Sequence, residues 1–282
     1  MKVIRAETAG FCMGVELALK KLDLLLEEHS GKGPIYILGP IIHNPQVLAE
    51  YAAKGVITAK SPEDIPVGAS VVIRAHGVPK DIEERLRGRD VTIVDATCPK
   101  VKKAQVLIAR STAEGRKLLL YGEESHPEVK GLLSYAEAGA HVFDDRATLF
   151  GLLTRGERYC LASQTTQDLV TFEELARELG GLTGVDLVVL NTICDATKLR
   201  QDEATSVADE VALMVVVGGF NSGNTRRLVQ VVASRMIPCL HVETVEALPL
   251  EEISRFDCVG LTAGASTPKK MIDEVEACLR RL

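Results

Sequence analysis

Short apolar, β-branched runs alternate along the 282-residue chain with stretches in which apolar positions recur every three or four residues. The runs predict strands over residues 2–5, 35–39, 70–75, 91–95, 117–121, 159–163, 187–190, 212–218, 238–242 and 258–262. Helices are predicted between most of them, most clearly over 15–28, 101–114, 172–179, 204–211, 225–234 and 269–282, several opened by Pro or by a Ser, Thr or Asn in capping position. This alternation is the signature of an α/β protein with mainly parallel sheets.

A second regularity has a much longer period. Cys12, Cys98 and Cys194 each fall between a predicted strand and the next helix, at intervals of 86 and 96 residues. Each is followed by two polar clusters at strand ends: His43 and His76 after Cys12, His126 and Thr165 after Cys98, Ser222 and Ser266 after Cys194. Three similar α/β units, each offering a thiol and two strand-tip loops, would account for the pattern, because open α/β sheets bind ligands beyond the carboxyl ends of their strands. The expected boundaries are 13–97 for the first domain, 98–193 for the second, and 194–282 together with 1–12 for the third.

Composition narrows the partners. Thirty-three Lys and Arg against 39 Asp and Glu give a net charge of −6, so no global basic field exists to hold nucleic acid or an anionic membrane, and an anionic substrate must be gripped locally. The longest apolar stretch, around 211–217, is far short of the roughly 18 residues a membrane span requires, and residues 1–12 hold no secretory apolar segment. The expected compartment is the cytoplasm. Seven cysteines with no close C-x-x-C pair argue against a disulfide framework and against a simple zinc finger. Cys160, Cys239, Cys258 and Cys278 lie in apolar patterns and read as core residues; His29, His141 and His241 lack a strand-end context and read as ordinary.

Three cysteines in turns before helices are placed where the helix dipole stabilises thiolate. They suit an iron-sulfur cluster with three protein ligands, one iron being left open as a Lewis acid; inert buried thiols are the other reading. His126-Pro127-Glu128 follows a strand and opens a helix, so the Glu128 carboxyl either favours the helix dipole or, near a metal and partly desolvated, delivers a proton to a departing oxygen. His43, His76, Ser222, Gly223, Asn224 and Ser266 supply imidazoles, hydroxyls, an amide and a glycine turn, the groups that bind phosphate. No P-loop or dinucleotide G-x-G-x-x-G motif is present, so electrons for any reduction must come from a partner.

The ordered set Gly10-Phe11-Cys12-Met13-Gly14, His43-Asn44, Ala75-His76-Gly77, Thr97-Cys98-Pro99, His126-Pro127-Glu128, Gln164-Thr165-Thr166, Thr192-Ile193-Cys194-Asp195 and Gly264-Ala265-Ser266-Thr267-Pro268 resembles the LytB (IspH) family of 4-hydroxy-3-methylbut-2-enyl diphosphate reductases over nearly the whole chain. The resemblance implies a pseudo-three-fold trefoil of three small α/β domains around a central iron-sulfur cluster. It also implies reductive dehydroxylation of the allylic diphosphate to isopentenyl and dimethylallyl diphosphates, the last step of the non-mevalonate isoprenoid route. Carried over by position, it puts the ligands of a 4Fe-4S cluster with one open iron on Cys12, Cys98 and Cys194. The proton-donating carboxylate falls on Glu128, a substrate contact on Thr165, and diphosphate binding on His43, His76, Ser222, Asn224 and Ser266, with His126 also lining the substrate pocket. Many members have a serine where this chain has Gly223, so there a backbone N–H must replace a hydroxyl. The electron donor implied is a small acidic ferredoxin or flavodoxin, for which Lys100, Lys102, Lys103, Arg226 and Arg227 form a candidate landing patch. An iron-sulfur sensor and an open-cluster hydro-lyase are the alternatives that the thiols alone would also fit.

Overall fold

The computed structural model describes residues 1–28 and 33–282; His29 lies outside the described residues. Twelve strands are found among the described residues. They are β1 (Lys2–Arg5), β2 (Ile35–Leu38), β3 (Val56–Ala59), β4 (Ser70–Ile73), β5 (Thr92–Asp95), β6 (Lys117–Tyr121), β7 (Ala140–Phe143), β8 (Arg158–Ser163), β9 (Asp186–Val189), β10 (Leu213–Val217), β11 (Cys239–Val242) and β12 (Cys258–Ala263). They form three four-stranded sheets, ordered β3-β2-β4-β5, β7-β6-β8-β9 and β11-β10-β12-β1, and every pairing is parallel. The order is the same three times: the first strand of each sheet lies between the second and the third, and the fourth closes the far edge. In the last sheet that fourth strand is β1, whose Lys2 pairs with Cys258.

The central strands are buried on both faces, as parallel sheets covered by helices require. Side chains of β10 alternate: Leu213, Val215 and Val217 join one core with Ile272, Val275 and Leu279, whereas Met214 and Val216 join another with Ala204, Leu228 and Val232. In β6, Leu119 and Tyr121 pack with Phe172 and Leu175, and Leu118 and Leu120 with Ile108 and Leu132. The period of two along each strand thus feeds two helical layers. Each fully buried Leu or Val is worth about 1.5–3 kcal/mol of transfer free energy, so these runs hold the sheets. Cys160 is wholly buried within one of these cores, and Cys239, Cys258 and Cys278 pack half-buried against them.

Two strands escape the hydrophobic pattern. β3 and β7 are edge strands whose side chains are partly exposed, so Val56–Ala59 and Ala140–Phe143 carry too little apolar alternation to stand out. The helix Asp195–Ala208 also begins nine residues before the apolar pattern at 204, because its early inward-facing residues, Thr197, Arg200 and Gln201, are polar.

Contacts divide the chain into two compact units. One comprises Met1–Glu16, Ile42–Glu50 and Asp195–Leu282 and contains the β1/β10–β12 sheet; the other comprises Leu17–Ile41 and Tyr51–Cys194 and contains the remaining two sheets. No helix among the described residues is long and apolar enough to cross a membrane.

Candidate active site

The residues singled out by chemistry follow the first, third and fourth strands of each sheet and never the second. His43, His76 and Cys98 follow β2, β4 and β5; His126, Thr165 and Cys194 follow β6, β8 and β9; Ser222, Ser266 and Cys12 follow β10, β12 and β1. The outer edge strands β3, β7 and β11 are followed by none. Each cysteine therefore comes after the last strand of a sheet, and sheet by sheet the order is polar, polar, thiol rather than thiol first.

A repeated hydrogen bond seats the thiols. The backbone N–H of Cys98 donates to Ala75 O at 2.9 Å, that of Cys194 to Thr165 O at 3.1 Å, and that of Cys12 to Ala265 O at 3.2 Å. Each acceptor lies in the loop after the neighbouring strand, so each cysteine is tied to the polar cluster beside it. A helix begins at once after each: Met13–Glu28, Pro99–Ala113 and Asp195–Ala208. None of the seven cysteines is in a disulfide. Burial pushes the Cys160 thiol up and Cys239 up to about 11, holding both protonated and unsuited to bind metal. Cys12, Cys98 and Cys194 are only half-buried and sit at helix starts, the chemistry an iron-sulfur cluster needs, so the donor set fits that group.

Within the two-sheet unit, Glu128 is the focus. His126 caps the helix Pro127–Leu133, which Pro127 starts with its preset φ, and His126 Nδ1 accepts from Glu128 N–H at 3.2 Å. That bond places the neutral-ring proton on Nε2. The Glu128 carboxyl, only 2% exposed, accepts from Thr165 N–H at 2.6 Å through Oε1 and from the Thr165 hydroxyl at 2.9 Å through Oε2. Burial raises it from 4.5 to about 7, against the opposing pull of the two Thr165 bonds. The group is therefore close to half protonated at neutral pH. The His76 ring meets the His126 ring edge to face, with centroids 5.5 Å apart. Ahead of Cys194, Thr192 accepts from Ser163 N–H at 2.8 Å and donates to Ser163 O at 2.8 Å, pinning that loop to β8.

In the other unit a polar group of its own forms. Ser222 caps the helix Gly223–Ala233, its oxygen accepting from Thr225 N–H at 3.3 Å, and Gly223 is the buried first residue of that helix. The Ser266 hydroxyl donates to His43 O at 3.1 Å and lies 3.4 Å from the Ser222 hydroxyl; Asn224 Oδ1 accepts from Ala265 N–H at 2.8 Å. Asn44 caps the helix Pro45–Ala53, its Oδ1 accepting from Val47 N–H at 3.0 Å. The β12 loop can approach this closely only because residue 264 is glycine, since a Cβ there would run into the Thr225 hydroxyl. Hydroxyls, an amide and helix N–H groups thus collect at one helix start, an arrangement suited to an anion. His241, read as ordinary, lies 2.8 Å by Nε2 from Gly218 O and packs against Phe220, supporting the turn that leads to Ser222.

Sequence reasoning passed over Arg74. Its Nε donates to Gly77 O at 3.2 Å, closing the His76 turn, and burial lowers its guanidinium to about 10, which leaves it cationic at neutral pH. The available signal was its place in the Arg74-Ala75-His76-Gly77 strand end.

Chemistry at the carboxyl ends of parallel strands, with a proton-holding carboxyl near neutrality, marks the chain as an α/β enzyme. It belongs to the LytB protein family, whose model matches residues 3–280. It is 54% identical over 283 residues to the 4-hydroxy-3-methylbut-2-enyl diphosphate reductase of Solidesulfovibrio magneticus, covering 99% of both chains. Among solved structures it resembles the E-1-hydroxy-2-methyl-but-2-enyl-4-diphosphate reductase of Plasmodium falciparum, with a TM-score of 0.91 at 26% identity over 98% of this chain and 87% of that one. It also resembles an (E)-4-hydroxy-3-methyl-but-2-enyl diphosphate reductase described as the terminal enzyme of the non-mevalonate pathway, with a TM-score of 0.70 at 39% identity over the full length of both.

Proposed function

We propose that the chain reduces 4-hydroxy-3-methylbut-2-enyl diphosphate to isopentenyl and dimethylallyl diphosphates, the terminal step of the non-mevalonate route. The allylic C–O bond breaks, two electrons and two protons are taken up, and the hydroxyl leaves as water. The observation that carries this reading is the buried Glu128 carboxyl, two residues after His126, raised to about 7 and held by Thr165. A group that holds a proton at neutral pH and can release it to a departing hydroxyl is what the reaction requires.

Cys12, Cys98 and Cys194 are assigned as the three ligands of a 4Fe-4S cluster, a reading supported by their matching strand-end seats. When bound, that cluster supplies the electrons and an open iron as Lewis acid. His43, His76, Ser222, Asn224 and Ser266 bind the diphosphate, His126 lines the same pocket, and Thr165 both contacts substrate and orients Glu128. Gly223 lacks the hydroxyl found in many members, but it is the first residue of its helix, where the N–H points outward to an anion. The alternating sheets support three domains with boundaries at 13–97, 98–193 and 194–282 with 1–12. A ferredoxin or flavodoxin delivers the electrons, landing on Lys100, Lys102, Lys103, Arg226 and Arg227, and the enzyme works in the cytoplasm.

The test is anaerobic. The full chain is reconstituted with iron and sulfide, and oxidation of a reduced viologen is followed on adding the allylic diphosphate. Substrate-dependent oxidation that yields the two five-carbon diphosphates is expected. A full cluster with no such oxidation would sink the reductase reading, and turnover without reductant would favour a hydro-lyase.

A further inference from the structure

The three cysteine loops are not held alike. The loop before Cys98 is tied locally, Thr97 N–H donating to Asp95 Oδ1 at 2.9 Å, and the loop before Cys194 is tied to β8 by Thr192. The loop before Cys12 is gripped from far away in sequence, by the helix Asp195–Ala208. Glu203 on that helix accepts Glu7 N–H at 2.6 Å through Oε1 and Thr8 N–H at 2.8 Å through Oε2, and the Thr8 hydroxyl also donates to Oε2. One turn earlier, the buried Arg200 donates through Nη2 to Gly10 O at 2.8 Å and through Nη1 to Ala196 O at 3.1 Å. Gly10 has a φ of +114°, a conformation an L side chain rarely adopts, so its carbonyl reaches Arg200 only with a backbone this helix must hold in place. Charge-assisted hydrogen bonds to backbone are the strong kind, and Glu203 and Arg200 together make five contacts to one other segment and to their own helix.

We propose that Glu203 and Arg200 are positioning residues for Cys12: the carboxylate and the guanidinium clamp residues 7–10 so that the thiol is presented at the start of the helix Met13–Glu28. The proposal deepens the cluster-ligation reading and rests on it for its purpose, though the clamp itself is testable without metal. Removing the clamp frees one thiol of the three and leaves the seats of Cys98 and Cys194 intact, because their ties involve neither residue.

The experiment uses the full chain, metal-free and reduced, alkylated with N-ethylmaleimide for graded times and read peptide by peptide by mass spectrometry. In Glu203→Gln the amide presents an N–H donor where a second acceptor is needed, and Cys12 should label at least about ten-fold faster, the factor that 1.4 kcal/mol of lost bonding gives. Cys98 and Cys194 should change less than about two-fold, since the lost bonds do not reach them. Thr8→Val should raise Cys12 labelling alone, and Thr8→Ser, which keeps the hydroxyl donor, should restore it. Unchanged Cys12 labelling, or an equal rise at all three cysteines, would overturn the clamp. The buried Cys160 reports folding: should it label in Glu203→Gln, the Thr8 pair decides. A parallel arm with reconstituted wild-type chain separates the two ideas. If iron and sulfide fail to protect Cys12 while the metal-free result stands, ligation is wrong and the clamp survives; if protection holds and the variants label like wild type, the reverse is true.

Discussion

Replacing Glu128 by Gln should change stability in a way set by pH. The buried carboxyl titrates near 7 instead of 4.5, a difference of about 2.5 units, or about 3 kcal/mol at 1.36 kcal/mol per unit. Below pH 4.5 the group is neutral folded and unfolded, and burial costs nothing through ionisation. Between 4.5 and 7 the unfolded chain gives up the proton while the folded one keeps it, so wild-type stability falls by up to about 1.4 kcal/mol per pH unit. Above 7 the deficit is constant. Gln is neutral throughout, and its amide can still accept from Thr165 N–H and donate to the Thr165 oxygen. Glu128→Gln should therefore match wild type near pH 4.5 and exceed it by about 3 kcal/mol at pH 8. Urea unfolding of the metal-free, reduced chain at several pH values measures this, other titrating groups cancelling in the difference. A difference that does not vary with pH would refute the burial argument and remove the reason to place a proton on Glu128. In the reconstituted enzyme the same variant should lose roughly 10²–10⁴-fold in turnover while keeping the cluster absorbance.

The wild-type rate should itself fall as pH rises through 7, as the acid form of Glu128 is lost. Thr165→Val removes a donor that favours the carboxylate, so the alkaline limb of that profile should move up by about one pH unit, from roughly 1.5 kcal/mol of charge-assisted bonding; a limb that stays put or moves down would detach Thr165 from the titration. Cys194→Ser should lose bound iron and sulfide on reconstitution whereas Cys160→Ala should keep both, and equal contents in the two would sink the ligand assignment. Gly264→Ala forces a Cβ against Thr225 and should cost about 1–3 kcal/mol, read as a lower urea midpoint. Reduction by an acidic donor protein should slow as salt is raised, and Lys102→Glu with Lys103→Glu should flatten that dependence; salt-independent rates would discard the basic patch.

Much of the architecture could be read from periodicity because the central strands are continuous apolar runs, as Leu213–Val217 shows, and because Pro or a capping residue opens several helices. The edge strands β3 and β7 were not legible, since half-exposed strands need not alternate cleanly. The strand-end residues stood out because chemistry at parallel strand ends recurs in register. Their grouping did not: reading forward from each thiol attaches Cys98 to the loops that follow it, whereas β5 places it at the end of the sheet that precedes it. The Glu203 and Arg200 contacts span about 190 residues of sequence and leave no local signal, because a polar residue that faces inward on a helix looks the same in sequence as one that faces water.

Among the described residues β1 pairs with β12 alone, across 256 residues of chain. During synthesis at roughly 5–20 residues per second, the strand at Lys2–Arg5 waits on the order of 10–50 s before residues 258–263 exist to receive it. For that interval Val3 has no core, the Arg5 pairings to Asp273 and Glu276 cannot form, and the loop carrying Cys12 has no Ala265 to rest on and, until residue 203 is made, no Glu203 either. The two sheets between residues 35 and 189 are already complete by then. Cys12, made before the other two thiols, is thus the last of the three to reach its seat, and the nascent chain is open to oxidation there longest.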